Sequence, residues 1–250
     1  MVREIAARLA ERLHEVGRKF PLALDIGCHR GELHQALAAT GDEQVGRLVQ
    51  TDISASMARA ACMPGAPALA ADEEALPFAP AAFDLVASCA SLHLVNDLPG
   101  LLLQIRYALK PGGLFLASFY GRATLSELRR AWLEAEAERL GGASPRIAPF
   151  ADLRDAAGLL QRAGFIQPVA DGDTIAVSYA DPMALMADLK AMGESNPLTA
   201  RSRKPTTRGL LAAAAERYRA DFADADGRVQ ASFEVLTLTA WAPGETVSPS

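Results

Sequence analysis

The chain lacks most of the patterns that would name its chemistry at once. Its three cysteines, Cys28, Cys62 and Cys89, make no CxxC motif and no pairing framework, so a disulfide-built fold is excluded and a reducing, cytoplasmic setting is expected. Its four histidines, His14, His29, His34 and His93, form no His-x-Asp or His-x-x-x-His pattern. The facial triad of non-haem iron oxygenases is therefore not visible, and no metal site is expected. No apolar run approaches the roughly 20 residues of a membrane span, and the N-terminus has no signal-peptide pattern. A basic excess is missing too: the net charge is -5, which argues against a general nucleic-acid binder. Internal repeats and low-complexity tracts are absent, and only the final "GETVSPS" reads as a frayed tail.

What is present is apolar material and a regular alternation of elements. Half of the 250 residues are apolar, enough for one large α/β domain with a buried core. Ile5, Leu9, Leu13 and Val16 recur at helical spacing. "PLALDIG" and "RLVQTD" are short apolar runs ending in an acid, as buried parallel strands would be. A helix from about Gly31 separates them, and "SASMARAAC" supplies another. "APALAAD" reads as a third strand ending at Asp72, "FDLVASCA" as a fourth, and "LPGLLLQIRYALK" as the helix behind it. "KPGG" reads as a turn before a fifth strand, "LFLASFY".

The later half is expected to be a helical cap, about 121–150 and 181–225. One helix runs from about Ala123 to Leu140 with Leu125, Leu128, Trp132 and Ala135 on one face; "DLRDAAGLLQRAG" is another. An extended pair, "FIQPVA" and "DTIAVSY", precedes two more helical stretches. "SFEVLTLTAW" alternates as a final strand returning antiparallel. "GGASPRIAPF" is expected to be a lid over the substrate side, and the basic "TARSRKPTTR" a solvated loop. The fold class is thus a doubly wound, Rossmann-like α/β sheet with an antiparallel final strand, in one domain over 1–250.

Ligands of such sheets bind beyond the carboxyl ends of the strands. Asp25, Asp52 and Asp72 are expected there. Asp52 follows the loop "LDIGCHRGEL" by about twenty residues, where a carboxylate accepts from both ribose hydroxyls. Asp72 is placed against an adenine amino group, with the choice between it and the following Glu73 left open by one residue. Ile53 is placed against the adenine face, and Asp25 nearest a positive centre. The loop keeps Gly27 and Gly31 but not the full G-x-G-x-x-G fingerprint of a pyrophosphate site. An acid-rich cradle without a phosphate nest suits S-adenosyl-L-methionine, which carries a sulfonium and an ammonium. His29 is the odd residue of this loop, tolerable because histidine is enriched at positive φ. Its ring is expected near the methionine end, where it either donates to the cofactor carboxylate or partly fills the site. With Ser88 on the fourth strand, the expected cofactor-binding set is Asp25, Gly27, His29, Gly31, Asp52, Ile53, Asp72, Glu73 and Ser88. A strand-end acid facing solvent carries little of the core, so replacing Asp52 is expected to leave folding almost unchanged.

"LDIGCHRGEL", "QTDIS", "ADEEALPFAPAAFDLV" and "LKPGGLFL" resemble the successive cofactor motifs of class I S-adenosylmethionine-dependent methyltransferases. "SLHLVNDLP", "TLSELR", "SPRIAPF" and "MGESN" resemble a narrower group, the methyltransferase-like complex I assembly factors. A more distant likeness is to the malonyl-carrier-protein O-methyltransferase of biotin synthesis. The likeness runs from about Leu22 to Trp241. Two departures stand out: His29 where the family commonly has glycine, and Leu94 where it has an aromatic residue.

Three functions follow. One is methyl transfer from S-adenosyl-L-methionine to a protein or carrier-bound substrate. A second, implied by the narrower resemblance, is hydroxylation of an arginine on a complex I subunit. The third is a cofactor-binding module without catalysis. On the substrate side His93 and Tyr120 are the candidate catalytic residues, with Ser91 beside them; His93 reads either as a general base or as a packing or hydrogen-bonding histidine.

Overall fold

The apolar runs that end in acids form one side of a single sheet. The computed structural model describes residues 1–41, 43–142, 144, 153–194 and 205–244. The first half of the chain gives α1 (Val2–Val16), β1 (Phe20–Ile26), α2 (Glu32–Ala39), β2 (Val45–Asp52), α3 (Ala55–Ala61) and β3 (Ala68–Ala70). β4 (Phe83–Cys89), a 3-10 turn over Leu92–Leu94, α4 (Leu98–Ala108) and β5 (Leu109–Tyr120) follow. The later half gives α5 (Ser126–Leu140), α6 (Leu153–Arg162), β6 (Ile166–Tyr179), α7 (Pro182–Ala191), α8 (Arg208–Phe222) and β7 (Val229–Trp241).

The seven strands lie in the order β3-β2-β1-β4-β5-β7-β6. β1 pairs in parallel with β2 and β4, β2 with β3, and β4 with β5, while β7 runs antiparallel to β5. The chain steps outward from β1 to β3, then returns to place β4 on the other side of β1. The strand order therefore reverses between β1 and β4, the point where open α/β sheets bind ligands.

Local chemistry explains the element boundaries. α1 stops at Gly17, whose φ of 64° takes the left-handed cap. Ser54 caps α3 through Met57 N–H, and Asp97 caps α4 through Gly100 N–H. β1 and β4 are buried along most of their length, as parallel strands covered on both faces must be. Leu24, Ile26, Val86, Leu101, Ile105, Phe115 and Phe119 share one core with Leu160, Phe165 and Leu238. Each such side chain contributes about 1.5–3 kcal/mol by leaving water, so the strand ends rest on a firm platform.

The structure corrects several sequence expectations. "KPGG" is not a free turn: Lys110 to Gly113 lie within β5, and the register against β4 shifts between Phe83 and Leu85. Gly112 still needs its φ of 68°, so the glycine signal marked an irregularity inside the strand. "FIQPVA" and "DTIAVSY" are one continuous strand, β6. Between them Asp171 accepts from the Arg12 guanidinium of α1. β3 ends at Ala70, so Asp72 lies beyond the strand in a turn. α5 starts at Ser126 rather than near Ala123, because Leu125 takes a left-handed φ of 55°.

The chain divides into two compact units. The first comprises Met1–Tyr120, Ala151–Gly172 and Val235–Ser250, and the second Gly121–Phe150 and Asp173–Glu234. In the second, α8 packs on α5 and α7, and Glu127 accepts from the Ser232 hydroxyl at 2.5 Å. The stretches 121–150 and 181–225 both fall in this unit. Most of "GGASPRIAPF" and of "TARSRKPTTR", the end of "MGESN" and the tail from residue 245 lie outside the described residues.

Candidate functional site

The first unit gathers its acids around the loop that follows β1. Gly27 opens the loop with φ 69° and Gly31 closes it with φ 81°, both left-handed. Gly27 has a second reason to be bare. A Cβ there would lie 2.0 Å from Ser91 Oγ, so the loop after β4 sits directly against it. At Gly31 a Cβ would meet Gln50 Oε1 at 3.1 Å, a tight but lesser constraint.

Asp25, at the end of β1, is fully buried. Neither of its carboxylate oxygens has a hydrogen-bond partner. Burial first, and then the charges of Glu32 and Asp52, push its pKa well above the ordinary carboxylate range. Glu32 was not singled out in the sequence. It opens α2, where an acid suits the helix dipole, and it accepts from the Arg30 amide at 2.8 Å.

Asp52 lies at the end of β2 and is only 6% exposed. Its Oδ2 accepts from His29 N–H at 3.0 Å and its Oδ1 from Ser54 N–H at 2.8 Å. This carboxylate therefore holds two loops in place, contrary to the expectation that it faces solvent without structural work. His29 takes φ 50°, the left-handed conformation its residue type tolerates. Its Nε2 lies 3.1 Å from Cys89 O and 3.2 Å from Ala90 O. That nitrogen is engaged by protein carbonyls, not presented as a donor to a ligand carboxylate.

After β3 the structure separates neighbouring acids. Asp72 is exposed and accepts from Glu74 N–H at 2.8 Å, closing a turn. Glu73 is buried, and its Oε1 lies 3.7 Å from where a Gly27 Cβ would stand, so it faces the loop. Burial raises its pKa, while hydrogen bonds from its own amide and that of Ile53 oppose the rise. Glu74 turns outward to accept from Asn96 N–H, Asn96 Nδ2 and Asp97 N–H, which lowers its pKa. Gln104 completes this latch by donating to Glu74 O and accepting from Leu76 N–H. Ile53 is 66% exposed, an apolar side chain available to cover a flat ring. Ser88 is buried and donates to Ile26 O at 2.8 Å, tying β4 to β1.

On the β4 and β5 side, His93 and Tyr120 come together. Their ring centroids are 4.7 Å apart at an interplanar angle of 57°. Ser91 is buried just before them. Cys28 and Cys89 are buried free thiols whose pKa values are raised by burial and by Asp25, so neither is primed as a thiolate. Among the described residues no group of three or more His, Cys, Asp or Glu is arranged to hold a metal ion, and no helix is long and apolar enough to cross a membrane.

The arrangement concentrates negative charge where the sheet order reverses and leaves one buried carboxyl group without a donor. Such a site attracts a cation and repels a phosphate. An orphaned Asp25 therefore fits the sulfonium and ammonium of S-adenosyl-L-methionine.

Known proteins point the same way. Residues 24–117 match the family model of a methyltransferase domain. The mitochondrial arginine-hydroxylase NDUFAF5 of Rattus norvegicus is 44% identical over 241 residues, covering 95% of this chain and 69% of that protein. The malonyl-[acyl-carrier protein] O-methyltransferase of Halorhodospira halophila is 34% identical over 249 residues, covering 98% of this chain and 82% of that one. The crystal structure of the YcgJ protein from Bacillus subtilis superposes with a TM-score of 0.65 at 13% identity, covering 94% of this chain and 97% of the other. The chain belongs to the class I S-adenosylmethionine-dependent methyltransferase family, in the group that includes these arginine hydroxylases and carrier-protein methyltransferases.

Proposed function

We propose that this chain binds S-adenosyl-L-methionine and transfers its methyl group to a protein or carrier-bound acceptor. The observation that carries this reading is Asp25: a fully buried carboxyl group with no partner, beside two further acids. Asp25 would face the cationic end of the cofactor, with Glu32 adding field. Asp52 would accept from the ribose hydroxyls, since each of its oxygens keeps lone pairs beyond the one backbone bond it makes. Glu73 and Ile53 would flank the adenine, Glu73 replacing Asp72 as the acid turned toward the loop. When bound, the cofactor supplies an electrophilic methyl group on a good leaving group. The chain's own task is then to hold the acceptor in line, to exclude water and to take up a proton where the acceptor loses one. His93, packed on Tyr120, would serve that last task. A cytoplasmic setting belongs to this proposal, supported by three free cysteines.

A second reading is hydroxylation of an arginine on a complex I subunit. It is supported by the 44% identity to proteins named arginine hydroxylases, extending over 95% of the chain. Hydroxylation needs an oxidant that S-adenosyl-L-methionine does not supply. Intact-mass analysis of candidate acceptors, incubated with the chain and S-adenosyl-L-methionine, and in parallel with dioxygen and an added reductant, therefore separates the two. A methylene increment supports transfer, an oxygen increment supports hydroxylation, and no change on any acceptor contradicts both.

A further inference from the structure

We propose that His29 is a positioning residue whose imidazole ties the loop after β1 to the loop after β4, and so sets Ser91 and His93 against the cofactor acids. The meaning given to those acids rests on the methyltransferase reading; the tie itself does not.

The geometry runs through one nitrogen. His29 Nε2 lies 3.1 Å from Cys89 O and 3.2 Å from Ala90 O. Both carbonyls can only accept, so Nε2 carries the hydrogen and donates to them. Ala90 is itself left-handed, with φ 53°, and its amide donates to Ser118 O at 2.7 Å. The chain turns sharply at that point, leaving β4 and delivering Ser91 onto Gly27. The two loops thus meet twice: Ser91 over Gly27, and the His29 ring on the carbonyls of Cys89 and Ala90.

The backbone of the same residue makes a third link. His29 N–H donates to Asp52 Oδ2 at the end of β2. One residue therefore joins the ends of β2, β1 and β4, across the place where the strand order reverses. A glycine would take φ 50° without cost. A histidine takes it at a smaller cost than most side chains would, and its ring gives the contact that a glycine lacks. The 3-10 turn that follows carries His93, whose ring rests on Tyr120. Fixing Ala90 fixes the start of that turn.

Amide hydrogen exchange on the full chain without cofactor tests the tie, for the native protein, His29→Gly and His29→Gln. In His29→Gly the amides of Ala90 to Leu94 should exchange about tenfold faster, the effect of losing one hydrogen-bonded contact, while those of α4 and β5 stay unchanged. Glutamine reaches about as far and donates from its amide, so His29→Gln should restore most of the protection. Unchanged exchange in His29→Gly, or no rescue by glutamine, overturns the proposal. Should the variants fail to fold, the nitrogen-15 spectrum of the native imidazole decides: hydrogen on Nε2 is expected, and a ring protonated only on Nδ1 overturns it. Titration of the native protein with S-adenosyl-L-methionine stands apart. Absence of binding there would sink the methyltransferase reading and leave the exchange result as it is.

Discussion

Asp25 and Asp52 end neighbouring parallel strands, yet their carboxylates are held in opposite ways. Asp52 accepts from two backbone amides, those of His29 and Ser54, while Asp25 accepts from none. The first is fixed by protein amides, and the second has no protein donor. In the proposed reading Asp52 serves both the fold and the ligand, and Asp25 the ligand alone.

Asp52→Ala should therefore do two things. Cofactor affinity should fall by about 1.5–3 kcal/mol, the worth of hydrogen bonds to a charged group. Stability should fall as well, by about 1–3 kcal/mol, because the His29 and Ser54 amides lose their acceptor. Urea unfolding beside calorimetry checks both. A variant as stable as the native protein would mean that the two amide bonds contribute nothing.

Asp25→Asn should stabilise the protein in the absence of cofactor. The raised pKa of Asp25 means that its protonated form is favoured in the folded state. Its contribution to stability is whole below the unfolded carboxyl value near 4 and is lost as pH rises through the higher folded value. Removing the charge removes that loss. At pH 7.5 the variant should unfold at higher urea, by on the order of 1 kcal/mol, with the difference shrinking toward pH 4. A variant less stable at every pH would show that the carboxylate is satisfied after all.

Gly27→Ala should be damaging for a reason that Ser91 carries. The new Cβ would stand 2.0 Å from Ser91 Oγ, on a backbone with φ 69°. Left-handed strain alone costs about 1–2 kcal/mol, and the clash adds to it. Adding Ser91→Gly should recover the clash and not the strain, which a double-mutant cycle reads directly. Simple additivity of the two substitutions would deny their contact.

Much of this was legible in the chain. β1, β2 and β4 announced themselves as apolar runs, and the acids closing "PLALDIG" and "RLVQTD" marked two strand ends. The local signals failed where partners come from far away. "KPGG" carries turn residues, but the neighbouring strand decides its conformation. Asp72 and Glu73 differ by one position, and only the end of β3 at Ala70 shows which of them turns toward Gly27. The Ser91 contact was invisible for the same reason: the need for a bare Gly27 can be read locally, but its cause lies beyond β4. Glu74 shows it again, since its donors Asn96 and Asp97 lie past the fourth strand.

The Glu74 latch gives a prediction on the acid side. Its pKa is lowered by donors from Asn96 and Asp97, so its contribution is present above the unfolded glutamate value and lost as pH falls through the lower folded one. Exchange protection at the Asn96 and Asp97 amides should persist as pH falls to about 4.3 and disappear below it. Glu74→Gln should lower that protection at neutral pH, with the loss confined to this segment. Protection indifferent to pH and to the substitution would leave the latch without weight.

The most direct test of the proposed cation-binding site is calorimetry of S-adenosyl-L-methionine against the native protein and Asp25→Asn, across pH and in buffers of different ionisation enthalpy. A cationic ligand stabilises the ionised form of Asp25, so binding below the raised folded pKa must release a proton, and affinity must rise with pH through that range. Glu73, whose pKa is also raised, adds a smaller effect of the same sign, which should survive in the variant. Proton release is expected on binding to the native protein, and in Asp25→Asn a loss of affinity of about 10- to 100-fold with a flatter pH dependence. Binding of equal strength in both proteins, with no proton released, would contradict it.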